Sequence, residues 1–163
     1  TLLYLQENNL LEYADLEERK LSVTESYHKM SAEIKSVESR MAEIKKLEQQ
    51  IINYSKTKHV FVEYRRLGYS GAFLKEHESD ILMHLSAKKH FDKLGIEKLP
   101  SLKSLKSEYA FLLSRKKELY PEYRKLRDEM KGLLTAKANV DRLLNVENQL
   151  HQHNGHGKDD KVM

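Results

Sequence analysis

No cysteine occurs in the 163 residues, which rules out a disulfide framework and thiolate zinc sites and agrees with a reducing cytoplasm. Tryptophan is also missing, and there are only two prolines and six glycines. So few turn-forming residues disfavour a sheet with many connections and favour long uninterrupted helices. No run of about 18 apolar residues could cross a bilayer, and Thr1 opens directly into helix-like sequence with no signal-peptide pattern, so no membrane insertion is expected. G-x-x-x-x-G-K-[ST], G-x-G-x-x-G and G-x-S-x-G are all absent. Cofactor binding and enzymatic activity within this chain therefore have no motif to rest on.

Charge is plentiful: 33% of residues are Asp, Glu, Lys or Arg, against 39% hydrophobic, and the net charge is +4. It is unevenly spread. Residues 1–50 hold 7 Lys/Arg against 10 Asp/Glu, and residues 51–163 hold 22 against 15. A basic surplus of that size makes a phosphate backbone a fitting partner through counterion release.

From Tyr13 the apolar positions recur at alternating steps of three and four: Leu16, Val23, Tyr27, Met30, Ile34, Val37, Met41, Ile44 and Ile51. Only Lys20 and Glu48 break this heptad seam, which must bury against another helix. A second seam runs through Leu102, Leu105, Tyr109, Leu112, Leu119, Tyr123, Leu126, Met130, Leu133, Val140 and Leu144, broken by Lys116 and Lys137. The expected fold is all-α: an elongated, coiled-coil-like antiparallel helical hairpin with a shorter helix packed at its distal end. The long helices should span about 12–67 and 101–147, with a kink at Pro121 and the helix resuming in register beyond it. The middle helix should span about 72–94, capped by Ser70, stopped by Gly95, and packed through Ile81, Leu82, Leu85, Phe91 and Leu94. Residues 1–150 read as a single helical domain and 151–163 as a flexible tail. His59 to Val62 is the one β-branched and aromatic patch where a strand could compete.

His77, Asp80 and His84 fall at i, i+3 and i+7, on one face of the expected middle helix, so they are weak metal-ligand candidates. Ile81 stands where a zincin would place its second histidine, so the H-E-x-x-H pattern fails, and the blander reading is a polar, solvated face. His151, His153 and His156 sit in a Gly-containing tail with nothing to orient them on a metal. The basic clusters in the distal segment are interleaved with tyrosine, which gives Lys56, Lys58, Arg65, Arg66, Lys88, Lys89, Tyr64 and Tyr69 as DNA-binding candidates. The cations suit phosphates and the rings suit exposed bases. Residues 54–98 are the least heptad-like part of the chain and hence the least explained by packing.

Tyr54-Ser-Lys-Thr-Lys, Glu63-Tyr-Arg-Arg-Leu-Gly-Tyr-Ser, His77-Glu-Ser-Asp-Ile-Leu-Met-His, Ala87-Lys-Lys and Lys98-Leu-Pro lie in that segment. With Lys116-Lys-Glu-Leu-Tyr, Glu122-Tyr-Arg and Leu134-Thr-Ala-Lys-Ala-Asn-Val-Asp-Arg-Leu-Leu, they resemble the C-terminal region of relaxase/mobilisation nucleases from integrative conjugative elements. The resemblance covers residues 1–146 and is most distinctive over 54–100. It implies a full-length DNA-nicking relaxase whose metal-binding histidines and hydroxyl nucleophile lie in an upstream domain. This chain would then be an accessory helical module that binds DNA or docks relaxosome or type IV secretion coupling proteins in the cytoplasm. Two other readings fit the same seams: a structural spacer or dimerisation arm forming a homodimer, and an RNA-binding helical arm.

Overall fold

The computed structural model describes residues 1–8 and 12–155; Asn9, His156 and the rest of the tail lie outside it. The described residues are all-α, forming five helices and no strand. These are α1 (Leu2–Glu7), α2 (Tyr13–Arg66), α3 (Gly71–Glu76), α4 (Glu78–Lys93) and α5 (Leu102–Gly155). The patch from His59 to Val62 is helical, inside α2. Ser101 starts α5 as expected, its Oγ accepting the Ser104 N–H at 3.0 Å. The helix continues through Pro121 and on to Gly155, past the boundary near 147 that the end of the seam suggests.

Chain contacts cluster into two compact units, where the pattern of seams suggests one domain. Unit 1 comprises residues 1–34 and 118–163, and unit 2 comprises residues 35–117. Each takes one stretch of α2 and one of α5. In unit 1, Leu5, Leu16, Val23, Leu133 and Ala136 form the buried core, with Tyr4, Leu126, Met130 and Val140 packed around it. The helix stretches run antiparallel, because Tyr13 reaches Asp141, Lys137 reaches Glu17 and Tyr27 reaches Tyr123. Gly132 gives α1 its seat: a Cβ there would come within 3.2 Å of the Tyr4 hydroxyl.

In unit 2, Ile44, Leu47 and Ile51 of α2, Ala87 and Phe91 of α4, and Leu105 of α5 share one core. Tyr54, Ile96, Leu99, Tyr109 and Leu112 close its edges. Arg40 binds Glu108 through two nitrogens, at 2.7 and 3.2 Å, and Lys116 meets Glu38 at 2.7 Å, again an antiparallel register. The seam of α2 is buried at Leu16, Val23, Ile34, Val37, Met41, Ile44 and Ile51. Glu48, the interruption, is buried as well, held by Lys45 at 3.2 Å.

The expected middle helix is two helices. The chain breaks at His77 (φ −118°, ψ 27°), which closes α3 and opens α4. Ser70 caps α3 by accepting the Phe73 N–H at 3.5 Å. The packing face of α4 also differs from the one hydrophobicity alone suggests. Ile81, His84, Ala87 and Phe91 are buried, whereas Leu82, Leu85 and Leu94 are exposed. The buried four follow helical steps of three, three and four, and Leu82 and Leu85 lie one residue further round the helix.

Candidate nucleic-acid interface

The segment singled out by its sequence, 54–98, lies wholly inside unit 2. Counted by unit, residues 35–117 hold 18 Lys/Arg against 10 Asp/Glu, a surplus of +8. Unit 1 holds 11 against 15, a balance of −4. The basic character of the chain is therefore the property of one unit.

A run of aromatic rings crosses that unit. On α2, Tyr54, Thr57, Phe61 and Tyr64 follow steps of three, four and three and so share a face. His84 of α4 inserts between two of them, its ring 4.4 Å from that of Tyr54 and 4.4 Å from that of Phe61, both stacked. Phe91 meets Tyr54 edge-on at 5.6 Å. Beyond Phe61 the run continues to Tyr64 at 6.2 Å, and Tyr64 touches Tyr69 edge-on at 5.2 Å and stacks with Phe73 at 6.3 Å. Phe73 in turn lies 4.3 Å from the His77 ring.

The state of His84 follows from its partners. The Thr57 hydroxyl lies 2.8 Å from the Asn53 carbonyl and 3.1 Å from His84 Nδ1. The hydroxyl and Nδ1 are within hydrogen-bond distance, and the tautomer of the ring sets which of the two donates. Burial pushes the imidazole pKa below its usual value, hydrogen bonding of the ring to the Tyr54 backbone carbonyl opposes this, and the positive charges of Lys88 and Lys58 push it down further. The same effect places both lysines in the electrostatic neighbourhood of the ring, one from each helix.

Lys56, Lys58, Arg65, Lys88 and Lys89 are exposed and form no ion pair with any described residue. Arg66 differs: it is tied to Glu63, with Nε 2.8 Å from a carboxylate oxygen. Tyr64 is half-buried, so it serves the packing of the unit more than its surface. Tyr69 is 59% exposed. Of the candidates, then, five cations and Tyr69 remain open to a partner.

The three metal-ligand candidates are not brought together. His84 is buried among rings instead of solvated, His77 sits at the α3–α4 junction against Phe73, and Asp80 lies in the first turn of α4. Among the described residues no group of three or more His, Cys, Asp or Glu could hold a metal ion. The side chains of His151 and His153, and all of His156, lie outside the described residues. Thr57, which hydrogen-bonds to His84, and the rings of Phe61 and Phe73 are members of this cluster outside the sequence-predicted candidates. The step of three, four and three from Tyr54 to Tyr64 is the signal for the first two; Phe73 has none.

Among the described residues no helix is long and apolar enough to cross a membrane. Compared with family models, curated proteins and solved structures, the chain matches none.

Proposed function

We propose that this chain is a non-catalytic helical module that grips DNA phosphates through residues 35–117. In the setting its resemblance implies, it serves a conjugative relaxase in the cytoplasm while a separate domain nicks the transfer origin. One observation carries this reading: a unit with a surplus of +8 presents five exposed cations with no ion pair to any described residue. Such cations exchange condensed counterions for phosphate contacts, with no base-reading motif required.

Fluorescence anisotropy with single-stranded DNA, duplex DNA and structured RNA across a salt series tests it. The expected result is DNA binding that weakens linearly on a log–log salt plot. Replacing both lysines beside His84 (Lys58→Glu with Lys88→Glu) should reduce affinity at every sequence and flatten the slope by about 1 to 2, one phosphate contact being worth about 0.9. Absence of DNA binding at low salt refutes this function, and preference for structured RNA transfers it to an RNA-binding arm.

A second reading rests on a different observation. Leu82 and Leu85 are 55% and 43% exposed on α4, the helix that also carries Lys88 and Lys89. An apolar pair flanked by cations suits docking of an acidic relaxosome or secretion coupling protein. Capture that survives salt strong enough to release DNA would favour it.

A further inference from the structure

Two helices in unit 2 end in the same capping motif. After α2, the Gly68 N–H donates to the Arg65 carbonyl at 3.1 Å and the Tyr69 N–H to the Tyr64 carbonyl at 3.0 Å. After α4, the Gly95 N–H donates to the Asp92 carbonyl at 3.1 Å and the Ile96 N–H to the Phe91 carbonyl at 3.0 Å. The motif needs one left-handed residue, and both glycines supply it, at φ 62° and 65°. At the end of α4 that is sufficient: Ile96 keeps a negative φ and packs onto the core. At the end of α2 the next residue is left-handed too. Tyr69, at φ 61°, is the only non-glycine residue with positive φ among the described residues.

Left-handed backbone is disfavoured for any residue with a Cβ, and the second cap shows that the hydrogen bonds do not demand it. What the conformation does is hold a tyrosine ring out at the turn, 59% exposed. Tyr64 buttresses it, the two rings meeting at 88°. Arg65, four residues back, is exposed and has no ion pair among the described residues. An exposed π surface and, four residues before it in the chain, an exposed guanidinium with no ion pair to any described residue match the two parts of one nucleotide, base and phosphate. Duplex DNA hides its base faces, so the fitting ligand has unpaired bases.

We infer that Tyr69 is a stacking platform for an unpaired base of single-stranded DNA, with Arg65 taking the adjoining phosphate. The inference rests on the DNA-gripping function proposed above.

Tyr69→Trp gives the test, because the chain has no other tryptophan. Its emission is to be followed on adding oligothymidylate or an abasic strand of equal length at the same ionic strength. Quenching by the first and not by the second is expected. In parallel, anisotropy should show the wild type binding oligothymidylate more tightly than the abasic strand. Tyr69→Asn, whose side chain tolerates left-handed backbone, should erase most of that difference, weakening oligothymidylate binding about 5- to 150-fold. Tyr69→Phe, which keeps the ring, should preserve it. If the tryptophan emission does not change when the strand binds, or if Tyr69→Asn weakens both strands equally, Tyr69 does not stack, and phosphate gripping stands without it. If the wild type binds neither strand at low salt, phosphate gripping fails and base stacking fails with it. Should Tyr69→Asn lose its helical circular dichroism, the tryptophan readout decides alone.

Discussion

His84 is a titratable group placed where protonation opposes folding: its ring lies between Tyr54 and Phe61, and Lys58 and Lys88 add positive charge nearby. Its pKa is lowered in the folded state, so the unfolded chain takes up the proton first on acidification, at about pH 6.5. The stability contributed by the neutral ring is fully present above that pH and is lost as pH falls below it towards the folded pKa. Thermal unfolding followed by circular dichroism should therefore show a midpoint that drops from pH 7 to pH 5. His84→Phe keeps a ring in the stack, leaves Thr57 bonded to Asn53, and should flatten the part of that dependence due to this site. An unchanged profile would place the dependence elsewhere. Gly95 gives a simpler case. A methyl group added there would meet nothing within 4 Å, so Gly95→Ala should cost only the left-handed backbone penalty, about 1 to 2 kcal/mol by urea denaturation. Both glycine stops are legible in the chain because glycine is nearly required at such a cap. The burial of His84 is not, since residue type places histidine between core and surface, and only the rings opposite it decide.

At the scale of the helix, the heptad spacing of α2 and α5 is legible because a stripe that recurs every three to four residues over this length has one physical outlet, burial against a partner. Its breaks are harder to interpret. Glu48 is buried because Lys45 lies one turn away to pair with it, and at the Lys137 break the buried position is its neighbour Ala136. The division of the middle helix at His77 has no proline or glycine to mark it. Core and surface contacts should differ sharply in weight. Ile44→Ala removes a fully buried side chain and should cost about 2 to 5 kcal/mol, whereas Glu108→Gln weakens an exposed pair with Arg40 and should cost no more than about 1 kcal/mol. Urea titrations of the two variants check this, and equal losses would contradict the packing described. Pro121 stands inside α5 and denies the Lys117 carbonyl its usual donor four residues on. Pro121→Ala should raise stability, by up to about 3 kcal/mol in a urea titration.

For the whole molecule, the net charge of +4 conceals a sum of opposites, a surplus of +8 on residues 35–117 and −4 on the remainder. A division at residue 50 shows the trend along the chain but blurs it, because α5 passes from the basic unit into the acidic one and only folding assigns its halves. The DNA-binding candidates are legible as residue types for the same reason that they remain exposed: Lys and Arg are costly to bury, and few acidic neighbours stand ready to pair with them. Patches of opposite sign also govern how the chain meets charged surfaces that carry no biological information. At neutral pH and low salt it should be retained by cation-exchange and anion-exchange resins alike, each holding a different unit. On the cation exchanger it should elute later than a protein of uniform charge +4, and later still than its own Lys58→Glu, Lys88→Glu variant.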